Sequence, residues 1–212
     1  MFSPQLLEDA LGAVGDLLGA RDQSVSLLVV GGAALLLQDH THRDATVDVD
    51  VLAQIEDGRL VDPVPLPAGV REAARLVAEG YGLPDDWLNS VVATSWTGHW
   101  PPALPSDPLA DARRLEFGGL TVFLVGRETL IPMKLHAAAN HAHAAEFDSE
   151  GRVTGVDLSP RDAQRHLVDL VELSPTDADL DRAAAWVHTQ DSSPDLDTFI
   201  DAVRRHVRDT RP

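Results

Sequence analysis

Cysteine is absent from this chain, lysine occurs once, and no apolar run approaches the roughly 18 residues that a membrane span needs. Without cysteine there are no disulfides and no thiolate metal sites. The amino terminus, MFSPQLLEDALG, has no basic stretch ahead of an apolar one, so it does not read as a signal peptide. These absences predict a soluble, cytoplasmic protein with no membrane partner. Basic charge is scarce too: 17 Lys and Arg face 34 Asp and Glu, a formal net charge of −17. Like charge removes the counterion-release contribution to nucleic-acid binding, so a broad phosphate-binding surface is disfavoured and only a local Arg patch would serve. The single lysine is Lys134, beside 16 arginines. Codon usage in a G+C-rich genome explains the arginines but makes the surviving lysine notable.

What is present is ordinary for a folded protein: 44% hydrophobic and 24% charged residues in a chain of 212, long enough for one domain, or for one domain with a helical extension. Four Ser-Pro pairs, at Ser3, Ser159, Ser174 and Ser193, read as helix starts with Ser as N-cap and Pro at the first helical position. After the first, Leu7, Ala10, Leu11, Val14 and Leu18 recur at helical spacing. Ser24 to Val30 reads as a buried strand, Gly31-Gly32 as a turn, Ala33 to Gln38 as a short helix, and Thr46 to Leu52 as a second strand. Helices are predicted at Val70 to Glu79 and Asp85 to Ala93, and a long loop at Trp96 to Asp111. Arg114 to Phe117 and Leu120 to Val125 flank Gly118-Gly119 as a hairpin. From Leu130 onward the chain reads as helical, apart from a turn near Asp148 to Gly155. The predicted class is α+β (α/β): a small mixed sheet with flanking helices over residues 1–128, then a helical region, 129–212, packed on it.

The chemistry concentrates in GGAALLLQDHTHRDATVDVDVLA, residues 31 to 53. If Thr46 to Leu52 is a strand, Asp48 and Asp50 point to one face with Cα atoms ~6.5–7 Å apart, and Val47, Val49 and Val51 point towards a core. Two carboxylates that close raise each other's pKa unless a cation sits between them, and Mg2+ suits one or two carboxylates completed by phosphate oxygens. Gly31-Gly32 lets backbone N–H groups approach a phosphate at a helix start. Neither a Walker A loop nor a Gly-x-Gly-x-x-Gly fingerprint is present. The plainer alternatives are a half-exposed acidic strand and an ordinary glycine turn.

Taken together, Gly31-Gly32 followed by Arg43, Thr46, Asp48 and Asp50 resembles the first motif of the nucleotidyltransferase superfamily, with its DNA polymerase beta-like fold, and in particular the AbiEii and MenT group of toxin nucleotidyltransferases. GLPDDWLN (82 to 89), LIPMKLHAA (130 to 138) and RHLVDLVELSPTDADLDRAAAW (165 to 186) resemble later segments of that group. The resemblance implies that Asp48 and Asp50 hold Mg2+ (or Mn2+) and the triphosphate, with Gly31, Gly32, Arg43 and Thr46 on the nucleotide. It implies that Lys134 neutralises the triphosphate and that Asp169 acts as base or positions the acceptor, with His166 three residues away on the same helix face. Gly32 stands where many members have Ser or Thr, and His166 where many have Asp. Glu116, the only acid on a strand near the hairpin, reads as an exposed hairpin residue, leaving the third-carboxylate role to Asp169.

Other polar residues read as structural. His136, Asn140 and His143 would share one polar helix face; Trp87 and Trp186 would anchor their helices in the core; Trp96 and Trp100 could stack on a base or form an interface. The expected activity is transfer of a nucleoside monophosphate from an NTP to an acceptor hydroxyl on tRNA, a protein or a small molecule, with a toxin role and a cognate antitoxin as one setting. If RNA binds, Arg113, Arg114, Arg127, Arg161 and Arg165 are expected to converge near the site. The alternative is a catalytically degenerate nucleotidyltransferase fold acting as antitoxin, regulator or partner subunit.

Overall fold

The computed structural model describes residues 1–94 and 107–211; Trp96 and Trp100 lie outside the described residues. The chain divides into two compact units, Met1–Gly126 and Arg127–Pro212. No helix among the described residues is long and apolar enough to cross a membrane.

The first unit opens with α1, Pro4–Gly19, as the first Ser-Pro pair predicts: Ser3 Oγ accepts from the Leu6 N–H at 3.3 Å, and Leu7, Ala10, Leu11, Val14 and Leu18 form its buried stripe. Next come β1 (Val25–Val30), α2 (Gly31–Leu37), β2 (Val49–Glu56), β3 (Arg59–Val61), α3 (Ala68–Tyr81), β4 (Leu88–Asn89), α4 (Val91–Thr94), β5 (Arg113–Phe117) and β6 (Leu120–Leu124). The strands make a mixed sheet ordered β3-β2-β1-β6-β5, with β4 also paired to β2. β1 lies antiparallel to β2 and parallel to β6, and is buried over Leu27 to Val30. The Gly118-Gly119 hairpin is present as predicted, with Phe117 opposite Leu120 and Gly118 at φ +57°, a conformation glycine adopts without steric cost.

Two expectations in this unit are corrected. β2 starts at Val49, not Thr46: ahead of it Thr46 forms an isolated bridge with Phe2, Val47 is exposed and Asp48 stands just before the strand. β2 then runs on to Glu56 through a bulge, where Leu28 pairs with Ala53 and Val29 with Val51. The extra residue, Leu52, breaks the alternation, so Val51, Leu52 and Ala53 are all buried. Residues 85 to 93 do not form one helix. Trp87 is fully buried, with its Nε1–H donating to Ala74 O at 3.1 Å and its carbonyl accepting from Val49 N–H at 2.7 Å. That anchor draws Leu88 and Asn89 into the sheet as a short strand parallel to β2.

The second unit contains α5 (Arg127–His141), a hairpin of β7 (His143–Phe147) and β8 (Val153–Asp157), then α6 (Arg161–Glu172), α7 (Asp177–Gln190) and α8 (Leu196–Thr210). α5 packs against α6, α7 and α8 around Leu135, Leu167, Leu170, Val187 and Val203; Trp186 is buried on α7, as its reading as a core anchor requires. The hairpin corrects the all-helical expectation: Val153, Thr154 and Val156 favour a strand, and Asp148 closes the turn by accepting from the Glu150 and Arg152 N–H groups at 2.8 and 3.0 Å. His143 therefore leaves the helix face it was expected to share. The last three Ser-Pro pairs also sit one or more residues ahead of the true N-caps, which are Pro160, Thr176 and Asp195. Thr176 wins at α7 because it forms a complete capping box with Asp179. Arg127 clamps that turn, donating to Leu173 O and Ser174 O at 2.7 Å each and to Asp179 Oδ2 at 3.1 Å.

Candidate functional site

In the first unit, β1 ends at Val30, opposite Asp50 of β2, and the chain turns at Gly31 with φ +75°. A Cβ on Gly31 would stand 2.5 Å from Asp50 Oδ2, and one on Gly32 would stand 2.5 Å from Thr46 Oγ1. Both glycines thus lie in close approach to these side-chain oxygens, and Gly31 is favoured by its backbone as well. Four of the residues singled out in the sequence, Gly31, Gly32, Thr46 and Asp50, thus form one contiguous cluster.

Thr46 is held on both sides. Its backbone exchanges hydrogen bonds with Phe2 at 2.6 and 2.9 Å, and its hydroxyl donates to the Asp48 carbonyl at 3.4 Å. Asp48 and Asp50 are each half-buried. Arg43 lies in the preceding loop, also half-buried, with its N–H donating to Thr41 Oγ1 at 3.2 Å. Among the described residues there is no group of three or more His, Cys, Asp and Glu side chains suited to a metal ion. Because Asp48 lies ahead of β2, strand alternation does not place the Asp48 and Asp50 carboxylates on one face as expected; they are the two acids of this stretch that could hold Mg2+ or Mn2+ together with phosphate oxygens.

Lys134, His166 and Asp169 belong to the second unit. Lys134 on α5 donates from Nζ to Asp169 Oδ2 on α6 at 2.7 Å. Lys134 is 6% exposed and Asp169 0%. The lysine read as a triphosphate neutraliser and the aspartate read as a base are thus each other's ion-pair partners. His166 shares the α6 face of Asp169, as predicted, and its ring stacks on that of His141 at 5.4 Å between centroids. His136 is hydrogen-bonded to Asn140 at 3.3 Å and meets the Trp186 ring edge-on at 6.3 Å. Burial holds its imidazole below the ordinary pKa, against an opposing pull from the Asp191 carboxylate.

Several of the arginines have internal roles. Arg113 donates to Leu37 O at 2.8 Å, at the end of α2, and Arg114 lies over the Phe123 ring while pairing with Glu116 at 2.7 Å. Glu116 is an exposed hairpin residue, as read. β4 also pairs Asn89 with Asp50; no local pattern in GLPDDWLN marks its last residues as a strand.

A mixed sheet that sets a glycine turn against a strand carboxylate, with a second acid two residues earlier, suits phosphate and metal chemistry. The family described as nucleotidyltransferase of unknown function (DUF6036) matches residues 9–93. That span runs from within α1 into α4 and contains Gly31, Gly32, Arg43, Thr46, Asp48 and Asp50; Lys134, His166 and Asp169 lie beyond it. The match supports the nucleotidyltransferase superfamily and no narrower group within it. No curated protein and no solved structure matches the chain.

Proposed function

We propose that this chain is a metal-dependent nucleotidyltransferase, moving a nucleoside monophosphate from an NTP to an acceptor hydroxyl. The observation that carries the reading is the seating of the Asp50 carboxylate against Gly31, inside the span that the family matches. The acceptor oxygen attacks the α-phosphorus while the bond from that phosphorus to the bridging oxygen of the β-phosphate breaks. Pyrophosphate leaves with the bonding electrons, and the acceptor proton passes to a nearby base or to solvent.

Asp48 and Asp50 would hold Mg2+ (or Mn2+), which when bound supplies charge neutralisation at the phosphate oxygens. Gly31 and Gly32 would present backbone N–H groups to the phosphates, with Thr46 and Arg43 bordering them. The net charge of −17 favours a protein side chain or a small metabolite as acceptor over tRNA. Action as the toxin of a toxin–antitoxin pair, with a cognate antitoxin as partner, is one setting for such an activity. The test is incubation with each labelled NTP and Mg2+, offering tRNA, protein and small-molecule acceptors, beside Asp48→Ala. Transfer by the unmodified chain alone is the expected result; no transfer to any acceptor overturns it.

A second reading rests on one observation. The ion pair between Lys134 and Asp169 occupies both residues to which the resemblance gives catalytic roles, as expected of a degenerate fold that binds a partner without catalysis. Calorimetry with Mg2+ and NTP separates the two: nucleotide binding lost in Asp50→Ala supports the enzyme, and no nucleotide binding supports the partner protein.

A further inference from the structure

Asp48 stands outside the strand pairing that sets Asp50. The β1–β2 ladder places Asp50 opposite Val30, and β2 itself begins at Val49. The segment from Thr46 to Val49 is held at its two ends by one aromatic pair. Phe2 exchanges backbone hydrogen bonds with Thr46 at 2.6 and 2.9 Å, and the Trp87 carbonyl accepts from the Val49 N–H at 2.7 Å. The two rings pack together, 5.8 Å between centroids and tilted by 35°, and both residues are buried. Trp87 is tied down in addition by its Nε1–H, which donates to Ala74 O at 3.1 Å. From Thr46 the hold passes to the glycine turn and the acid. Its hydroxyl donates to the Asp48 carbonyl at 3.4 Å, and its Oγ1 lies 2.5 Å from where a Cβ on Gly32 would stand.

We infer that Phe2 is a positioning residue for Asp48. Its buried ring, packed on Trp87, anchors the backbone that holds Thr46, and so sets where the Asp48 carboxylate stands relative to Asp50 and Gly31-Gly32. This rests on the nucleotidyltransferase reading, in which Asp48 and Asp50 hold a divalent ion together with phosphate oxygens. Without the Phe2 ring the ladder still sets Asp50, whereas the Thr46 end of the segment is released and Asp48 shifts. Loss of a residue that orients a ligand typically costs about 10–100-fold in metal affinity.

The test removes the ring from the full chain and reads the segment and the site separately. In Phe2→Ala, amide exchange followed by NMR should show the Thr46 N–H, which donates to Phe2 O, exchanging at least about tenfold faster. The amides of Leu27 to Val30 in β1 should keep their protection. Mn2+ affinity, read by electron paramagnetic resonance with an α,β-methylene NTP analogue at a temperature where the variant is folded, should fall about tenfold. Phe2→Met refills the space with an apolar side chain and should bring both readouts back to within about twofold of the original. General destabilisation would speed exchange in β1 as much as at Thr46, and that result overturns the inference. So does a folded Phe2→Ala whose Mn2+ affinity stays within about twofold of the original, or a Phe2→Met no better than Phe2→Ala. Should Phe2→Ala not fold, Phe2→Val is held to the same criteria, and failure of both to fold makes Phe2 core packing only. If the unmodified chain binds no Mn2+ with the analogue, the nucleotidyltransferase reading itself fails and the positioning role with it. Intact binding in the unmodified chain with no loss in Phe2→Ala sinks the inference alone.

Discussion

The two units carry their acids in opposite settings. In Met1–Gly126, Asp48 and Asp50 are half-buried, Asp50 beside a glycine turn; in Arg127–Pro212, Asp169 is wholly buried and bonded to Lys134. Two like charges that reach solvent can be screened by ions and can accept a cation between them. A buried unlike pair behaves differently, since removing either partner strands a charge in a medium that cannot solvate it. One residue type therefore stays within reach of solvent in the first unit and joins α5 to α6 in the second.

The contrast can be broken most sharply at Lys134. Lys134→Met should lower the unfolding free energy by about 3–5 kcal/mol in urea, whereas Lys134→Met combined with Asp169→Leu should recover most of that loss. A single-variant cost below about 1 kcal/mol would place the pair with the chemistry rather than with the helices. At the other pole, Asp50→Ala should slow nucleotidyl transfer by about a hundredfold, about 2.7 kcal/mol at the barrier, while leaving the urea midpoint nearly unchanged. Comparable losses of stability in the two experiments would erase the distinction.

Gly31→Ala probes the boundary between structure and chemistry. Its φ of +75° makes any side chain unfavourable by roughly 1–2 kcal/mol, and the new methyl would displace Asp50 Oδ2. Stability and transfer should fall together in that variant, unlike in Asp50→Ala.

The smallest effect is expected from pH in the second unit. His136 is held below its ordinary pKa of 6.5 by burial. As pH drops through that value the unfolded chain takes up the proton first, so stability should decline on acidification from neutral pH. His136→Gln should flatten the decline, read as melting temperature against pH; an unchanged slope would remove His136 as its source.

Much of the first unit was legible because its signals are local. Ser3-Pro4 starts α1, apolar β1 residues run together, and Gly118-Gly119 permits only a tight turn. The acids were legible as residues, but not their settings. Val47 and Asp48 fall ahead of the strand, where Thr46 bridges to Phe2, and the bulge at Leu52 breaks the alternation only after Val51. In the second unit, Ser-Pro pairs marked the neighbourhood of the α6, α7 and α8 starts, but the cap itself fell elsewhere, at α7 on the better acceptor Thr176.

By itself the sequence determined the mixed α/β class, the helix and hairpin positions set by caps and glycine turns, and the nearness of two acids to a glycine pair. Those follow from backbone preferences and periodicities that act over a few residues. Only the tertiary structure decided that Lys134 would be bound by Asp169, that Gly31 would abut the Asp50 carboxylate, and that Asn89 would lie beside Asp50. Those outcomes depend on which distant segments pack together, and burying Trp87 or α5 in its core chooses partners that no local pattern specifies.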